Sequence, residues 1–130
     1  MIDLYTDSSP NGFKITIALE ELVLPYHLHH VRIEEGEHHQ PAFLALNPHG
    51  RIPVIVDRKT GITMFESAAI LLYLAEKTGQ LLPKESAARW EAIKWLIFMH
   101  QVWGRSSVSV SISKCLLNRG TRLPSIAIAG

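Results

Sequence analysis

The alternation of strand and helix signals at the start of the chain constrains its fold more than any other feature. Ile2–Thr6 predicts a short strand, and a cluster of turn-forming residues follows at positions 7–12. Phe13–Val23 then carries apolar residues at helical spacing, and Tyr26–Ile33 predicts a second strand. A strand, a helix and a strand in this order join two parallel strands of one sheet. The chain is therefore predicted to be an α/β protein.

The next part of the chain adds a hairpin and a second long helix. Pro41–Leu46 predicts one or two helical turns, and Pro53–Asp57 and Thr63–Phe65 predict two antiparallel strands. A helix over Glu66–Thr78 is predicted to end at Gly79 and to be largely buried. The order β-α-β-α-β-β-α predicts a four-stranded mixed sheet with helices on its faces. This order suits a thioredoxin-like domain without singling it out.

The charged residues divide the chain into two unlike parts. Its 130 residues carry 13 Lys and Arg against 12 Asp and Glu, for a net charge of +1. All twelve acids lie within residues 1–91, whereas residues 92–130 hold five bases and none of the acids. A linker is predicted near residues 80–86, followed by a helix over Ala87–Trp103. Because that helix crosses the charge boundary, the charges alone leave open where the chain changes character.

Composition disfavours several function classes. The longest apolar runs, residues 70–75 and 95–99, are far shorter than the roughly 20 residues that span a bilayer. Asp3 stands where a signal peptide needs a basic flank and an apolar core. The single cysteine, Cys115, excludes an intramolecular disulfide, and aromatic residues do not interleave the basic tail after Trp103. We therefore expect a cytoplasmic protein with neither a membrane nor a nucleic-acid partner.

The turn after the first strand is a first candidate site. It reads Ser-Pro-Asn-Gly over residues 9–12, where Ser9 or Asn11 can cap the helix and Pro10 fits its first turn. The free N–H groups of a helix start also favour an anion, which the hydroxyl and the amide could help to bind. The pattern by itself favours simple capping and leaves anion binding open.

The second candidate segment reads Asn-Pro-His-Gly-Arg-Ile-Pro-Val over residues 47–54. Ile52 must be extended because Pro53 follows it, and Pro53 offers no N–H to a sheet. Most X-Pro bonds are trans, so the pattern alone favours a plain strand start. A cis bond would leave the main chain of Ile52 free to pair with an extended peptide.

The third candidate is the pair Glu66 and Ser67, where the helix after the hairpin begins. One interpretation is an acid that caps the helix N-terminus. The other is a clamp for an α-amino acid, in which Ser67 and the helix N–H groups bind the carboxylate while Glu66 binds the ammonium.

In this order and spacing, these segments resemble the cytosolic glutathione transferases from Ile2 to about Trp103. Residues 47–54 and the run Glu-Ser-Ala-Ala-Ile-Leu-Leu-Tyr-Leu at residues 66–74 carry most of the resemblance. The segment Ser-Pro-Asn-Gly-Phe-Lys-Ile at residues 9–15 resembles the bacterial nu-class branch, which has glutathione-dependent disulfide-bond oxidoreductase activity. The resemblance thus implies a glutathione-binding transferase or oxidoreductase that acts on disulfides or electrophiles.

The resemblance also implies roles for individual residues in binding glutathione. Ser9 and Asn11 would lie beside the sulfur, as catalytic residues that favour the thiolate and lower the pKa of the thiol from about 8.5. Ser9 keeps the hydroxyl of the Thr that the family usually has at this position. Glutathione would be the co-substrate, and no metal is expected.

The remainder of the tripeptide would contact the other two segments. Ile52 would pair its main chain with the cysteinyl unit, and Glu66 with Ser67 would hold the γ-glutamyl end. Arg51 and the loop Glu37–Gln40 are expected near the glycyl carboxylate. The expected glutathione-binding residues are Gln40, Arg51, Ile52, Pro53 (cis), Glu66 and Ser67.

The resemblance further implies a domain organisation. Residues 1–80 would form the thioredoxin-like domain, and residues 81–103 a linker and the first helix of an all-α domain that is incomplete in this chain. For an intact member of the family, the resemblance implies a homodimer with a disulfide or a small molecule as second substrate. Residues 104–130 do not match and alternate Ser with β-branched residues, so we hypothesise that this tail is a frameshifted or truncated end.

An incomplete helical domain would have two consequences. Aromatic side chains of the last helix would be uncovered, namely Trp90, Trp95, Phe98 and Trp103. The pocket for the second substrate would also be incomplete, which predicts weak or absent turnover even with glutathione bound. The alternatives are a catalytically silent glutathione-binding or protein-interaction module and a non-functional truncated product.

Three further residue types invite a functional interpretation. His27 and His29 share one face of a strand and could bind zinc or nickel, but the sequence places neither a cysteine nor an acid near them at ligand spacing. We therefore favour exposed histidines. Tyr5, within the first strand, is expected in the core and not as a catalytic tyrosine. Cys115 is interpreted as an incidental thiol.

Overall fold

A computed structural model of the chain describes residues 1–103. The helices and strands of this part follow the order β1 (Ile2–Thr6), α1 (Pro10–Glu21), β2 (Tyr26–His30), α2 (Pro41–Leu44), β3 (Val54–Asp57), β4 (Ile62–Phe65), α3 (Ser67–Thr78) and α4 (Ser86–Trp103). Two 3₁₀ turns, Ile33–Glu35 and Glu37–His39, lie between β2 and α2. The hypothesis about residues 104–130 and the interpretation of Cys115 fall outside the described residues.

The four strands form one mixed sheet in the order β2-β1-β3-β4. β1 and β2 are parallel, whereas β3 pairs antiparallel with both β1 and β4. This is the sheet that the order of strand and helix signals predicts. The thioredoxin-like α/β fold class is therefore confirmed.

The larger part of the core lies between one face of the sheet and the helices α1 and α3. Burying each large apolar side chain there contributes about 1.5–3 kcal/mol. The other face carries a smaller cluster of Val31, Phe43 and Val54, against which Tyr5 and Ile52 pack. This placement supports a core role for Tyr5. Fully buried side chains of the larger cluster include Leu4, Ile15, Leu19, Ile55, Ile70 and Leu74.

The first helix begins earlier than its apolar pattern predicts. It starts at Pro10, three residues before Phe13, because Ser9 is extended and its Oγ accepts a hydrogen bond from the Gly12 N–H at 3.0 Å. Pro10 occupies the first helical position, where a missing N–H costs nothing. Turn-forming residue types thus lie inside the helix because the cap precedes them.

The second strand is shorter than predicted. It ends at His30, and the chain leaves the sheet at Val31, whose N–H still donates to Thr6 O at 2.9 Å. Asp7 holds the departing chain, because its Oδ2 accepts from the Ile33 N–H at 3.2 Å and its Oδ1 lies 2.9 Å from His30 Nε2. The acidic, His-rich loop is therefore a pair of tight turns tied to the end of β1.

Helix α4 packs against the domain on one face and is exposed to solvent on another. Leu96 is buried against the larger core cluster. Trp90, Trp95 and Phe98 are 65%, 52% and 49% exposed, which confirms the predicted uncovered aromatic residues; the side chain of Trp103 is outside the described set. Within residues 1–103, the structure contains no helix that is both long enough and apolar enough to cross a membrane.

A buried carboxylate ties β3 to α3. Asp57 is 0% exposed, and its Oδ2 accepts hydrogen bonds from Tyr73 OH and Lys77 Nζ, each at 2.6 Å. Its Oδ1 accepts from the Lys59 N–H at 3.0 Å. Burial by itself raises the pKa of Asp57, but the hydrogen bonds from Lys77 and Tyr73 outweigh it and bring that pKa to about 2. The carboxylate is therefore charged and fully bonded in the fold.

Candidate functional site

The strand register brings the three candidate segments to one end of the sheet. Tyr5 of β1 lies opposite Val54 of β3, and Val54 lies opposite Phe65 of β4. The chain after β1, the chain before β3 and the chain after β4 are therefore neighbours at that end. The chain after β1 holds Ser9 and Asn11. The chain before β3 holds Ile52 and Pro53, and the chain after β4 holds Glu66 and Ser67.

In the β1–α1 turn, the structure shows the capping bond and leaves other polar groups available. Ser9 Oγ accepts from the Gly12 N–H, so its own O–H proton can still be donated elsewhere. Asn11 is half-buried, and its Oδ1 accepts a hydrogen bond from Lys14 Nζ at 3.0 Å. The Nδ2 atom of the same amide group is a hydrogen-bond donor. The turn therefore presents one hydroxyl donor and one amide donor beside the start of α1.

A close approach of the chain to itself holds this turn in place. A Cβ atom on Gly12 would lie 2.1 Å from Thr6 Oγ1 and 2.8 Å from the Asp7 carbonyl oxygen. Only glycine fits this distance between the end of β1 and the first turn of α1. The glycine thus sets where Ser9 and Asn11 stand relative to the sheet.

We predict that Gly12→Ala destabilises the fold by about 2–3 kcal/mol, because the added methyl group forces α1 away from β1. Thermal and urea denaturation of the purified chain measure this loss. The double variant Thr6→Ala/Gly12→Ala should recover part of it, since it removes the nearer of the two contacts. A Gly12→Ala chain as stable as the parent would contradict the short approach.

The segment before β3 adopts the conformation that the resemblance implies, since the Ile52–Pro53 peptide bond is cis. The trans bond favoured by the pattern alone is wrong. The turn is fixed by Asn47, whose Nδ2 donates to Arg51 O at 2.8 Å and whose Oδ1 accepts from the His49 N–H at 3.0 Å. Within residues 1–103, neither main-chain polar group of Ile52 has a hydrogen-bond partner. Ile52 can therefore pair with an extended peptide.

The start of α3 combines a strained main chain with a buried hydroxyl. Glu66 has φ 72° and ψ 112°, a region that side-chain-bearing residues rarely adopt, and its carboxylate is exposed. Ser67 is 2% exposed, and its Oγ lies 3.3 Å from His100 Nδ1. His100 Nε2 lies 3.7 Å from Glu66 Oε2. A residue of α4 thus contacts both candidate residues at the start of α3.

His100 is a site residue that sequence reasoning missed. Burial lowers its pKa, the nearby Lys14 lowers it further, and Glu66 acts in the opposite direction. The ring is therefore neutral at pH 7 and carries one proton. Its place beside Ser67 depends on the packing of α4 against α3, which no local pattern in the sequence indicates.

Lys14 is the second missed residue. It lies three positions after Asn11 in the first turns of α1, yet only 1% of it is exposed. Burial lowers its pKa. The i, i+3 spacing from Asn11 was the available signal, because residues at this spacing meet on a helix surface.

The residues expected near the glycyl carboxylate are less closely connected to the rest. Gln40 and Arg51 are exposed, and within residues 1–103 neither side chain has a hydrogen bond or ion pair that joins it to the other segments. Glu37 accepts a hydrogen bond from the Arg32 N–H at 2.8 Å and fixes the turn before Gln40. Their role in binding stays a prediction.

The histidines of β2 have an acidic neighbour after all. His29 Nε2 lies 2.8 Å from Asp3 Oδ1, and its ring stacks on Tyr5 with centroids 4.3 Å apart. The expectation that an acid is missing there was wrong, because Asp3 comes from the adjacent strand. Arg58 also binds Asp3, at 2.5 and 2.6 Å. In the part of the chain that the structure describes, no group of three or more His, Cys, Asp or Glu side chains is placed to hold a metal ion.

The four-stranded mixed sheet and the cis proline before β3 define a thioredoxin-like domain. The chain belongs to the glutathione S-transferase family, since the family model for the glutathione S-transferase N-terminal domain matches residues 8–77. This confirms the resemblance on which the residue roles depend.

Similar proteins include two disulfide-bond oxidoreductases of Escherichia coli. YfcG is 46% identical in an alignment 103 residues long that covers 75% of this chain and 48% of YfcG. YghU is 40% identical in an alignment 106 residues long that covers 75% of this chain and 37% of YghU. The chain thus spans less than half the length of either relative.

Solved structures give the same result. A glutathione transferase family member from Pseudomonas fluorescens with two glutathione molecules bound is 47% identical, with a TM-score of 0.74, over 77% of this chain and 46% of that one. A glutathione transferase from Pseudomonas putida with one glutathione disulfide bound per subunit is 41% identical, with a TM-score of 0.73, over 75% of this chain and 44% of that one.

Proposed function

We propose that this chain binds glutathione at the end of the sheet where the three segments meet, and stabilises its thiolate for reaction with disulfides or electrophiles. The observation that carries the proposal is the unpaired main chain of Ile52 between two groups of polar side chains. Ser9 and Asn11 lie on one side of it, and Glu66 and Ser67 on the other. A γ-glutamyl-cysteinyl peptide has matching groups in the same order.

Each part of the tripeptide would meet a group of suitable chemistry. The cysteinyl N–H and C=O would pair with Ile52 as an added strand does. The ammonium of the γ-glutamyl unit would meet the Glu66 carboxylate, and its carboxylate the Ser67 hydroxyl and the free N–H groups of α3. The sulfur would lie beside Ser9 and Asn11. Gln40 and Arg51 would be near the glycyl carboxylate.

The proposed reaction is thiol–disulfide exchange. The glutathione thiolate attacks one sulfur of the substrate disulfide, the S–S bond breaks, and the leaving thiolate takes a proton from water. A second glutathione thiolate attacks the mixed disulfide, which releases the second substrate thiol and forms glutathione disulfide. Two glutathione molecules are oxidised as one disulfide is reduced to two thiols. An electrophile would instead form a single bond to the same sulfur.

The relatives support this choice of chemistry. YfcG and YghU are named disulfide-bond oxidoreductases, and the Pseudomonas proteins hold two glutathione molecules or one glutathione disulfide. Glutathione is the thiol consumed in both exchange steps of the proposed reaction, and glutathione disulfide is the product of the second step. The cytoplasmic location and the homodimer stay predictions, as does the identity of the second substrate.

Calorimetric titration of the purified chain with glutathione and with glutathione disulfide tests the binding, and a coupled assay with a small disulfide tests the turnover. We expect both ligands to bind. Binding with slow or no turnover would indicate the silent module and fit the uncovered face of α4. A well-folded chain that binds neither ligand would overturn the proposal.

We predict that His100→Ala weakens glutathione binding about 3- to 10-fold, because Ser67 and Glu66 lose the ring that orients them and must be ordered by the ligand. Calorimetry measures the change. His27→Ala, an exposed histidine at the opposite end of the sheet, is the matched control and should bind as the parent does. Equal affinity of the parent and His100→Ala would show that the ring does not orient the pair.

A further inference from the structure

We propose that Lys14 is a positioning residue that fixes the side chain of Asn11 and, through it, stabilises the thiolate of bound glutathione. The inference rests on the proposed function. It begins from a buried lysine that has no ion-pair partner within residues 1–103. Lysine is almost never buried unless it is paired.

Among the described residues, Lys14 has a polar partner but no carboxylate within ion-pair distance. Its Nζ donates to Asn11 Oδ1 at 3.0 Å, and within residues 1–103 it takes part in no ion pair. Lys14 is close enough to His100 to help lower the pKa of that ring, and His100 Nε2 lies 3.7 Å from Glu66 Oε2. A buried ammonium without a carboxylate is costly to the fold. A bound anion at this position would remove that cost.

The hydrogen bond also decides which way the Asn11 amide points. A carboxamide has one acceptor oxygen and one donor nitrogen, and an ammonium can only donate. The contact with Lys14 therefore assigns Oδ1 to the lysine and leaves the Nδ2–H groups facing away from it. A thiolate sulfur can accept hydrogen bonds from these N–H groups. Lys14 thus turns an amide that could face either way into a fixed donor.

The positive charge strengthens this donor. A cation bonded to the amide oxygen polarises the amide and makes its N–H groups better donors. An opposite charge within about 4–6 Å lowers the pKa of an acid by about one to three units. Because the Asn11 amide lies between Lys14 and the proposed position of the sulfur, we expect Lys14 to lower the thiol pKa by an amount at the lower end of this range.

The test compares Lys14→Met with the parent chain and with Lys84→Met, the same change at an exposed lysine. The readout is the pKa of protein-bound glutathione, followed by the ultraviolet absorbance of its thiolate. Lys14→Met should raise that thiol pKa by about one unit, a tenfold smaller thiolate fraction at neutral pH. Lys84→Met should leave it unchanged. Lys14→Arg, which keeps the charge, should restore part of the effect.

Two further measurements separate positioning from structure. S-methylglutathione has no thiol to ionise, so its affinity should differ less than about twofold between the parent and Lys14→Met. The melting temperature of Lys14→Met should equal or exceed that of the parent, because methionine fills the site without a charge.

Several outcomes would overturn the inference while the proposed function stands. One is a folded Lys14→Met chain with an unchanged thiol pKa. A second is a marked loss of S-methylglutathione affinity, which would place the lysine against the peptide part of the ligand. A third is a Lys14→Met chain that does not fold. A parent chain that binds no glutathione would overturn both proposals.

Discussion

Asn11→Asp is expected to stabilise the fold and to remove the activation of glutathione. The carboxylate has the shape of the amide and gives the buried Lys14 an ion-pair partner at the position that Oδ1 now occupies, 3.0 Å from Nζ. It also removes the only donor of this side chain and places a negative charge beside the sulfur. A like charge disfavours the thiolate. We expect the pKa of the bound thiol to rise by at least about one unit and disulfide reduction at pH 7 to fall at least tenfold.

Thermal denaturation and ultraviolet titration of bound glutathione measure the two effects on one sample. Gln101→Glu makes the same amide-to-carboxylate change at an exposed position of α4 and is the control for added charge. It should change neither the melting temperature nor the thiol pKa by much. If Asn11→Asp lowered the melting temperature and left the thiol pKa unchanged, Asn11 would be a structural residue and not a donor to the sulfur.

Asp57→Ala is expected to lower the free energy of unfolding by about 3–5 kcal/mol, which is the usual loss when one partner of a buried ion pair is removed. The alanine would leave Lys77 and Tyr73 without the oxygen that each now contacts at 2.6 Å. It would also free the Lys59 N–H at the turn between β3 and β4. Urea denaturation at neutral pH measures the loss.

The pH dependence of stability identifies the charged group. The pKa of Asp57 is lowered from 3.8 to about 2, so its stabilising effect is complete above about pH 4 and is lost as the pH falls towards 2. The parent should therefore lose stability over this range more steeply than Asp57→Ala. Glu91→Ala, which removes an exposed ion pair with Lys94, should lower the free energy of unfolding far less than Asp57→Ala does. Equal losses in the two variants would mean that Asp57 is not bonded as described.

The fold and most of the candidate site are predictable because they depend on local signals. Strand and helix periods fix the order of elements, and the antiparallel hairpin then brings Ile52 and Glu66 to the end of β1. The apolar pattern alone begins α1 at Phe13, because Pro10 and Gly12 are turn formers by type. The Ser9 cap, one of the two caps that the sequence offers, and the approach to β1 make both residues helical.

The residues that sequence reasoning missed depend on tertiary packing. His100 reaches Ser67 across 33 positions of the chain, and this proximity follows from how α4 lies against α3. Lysine side chains are rarely buried, so the sequence predicts an exposed Lys14. Its burial is visible only in the three-dimensional structure. The acid beside His29 was missed for the same reason, because it lies on the neighbouring strand.

The positive φ of Glu66 means that, in the proposed site, glutathione would meet a pre-organised surface. A φ of 72° costs about 1–3 kcal/mol for a residue other than glycine, and this cost is incurred when the chain folds. The first N–H groups of α3 therefore need no rearrangement when a carboxylate arrives, so little conformational entropy is lost on binding. The strained conformation of Glu66 thus lowers the free energy of unfolding of the domain and reduces the conformational entropy that binding at the proposed site would cost.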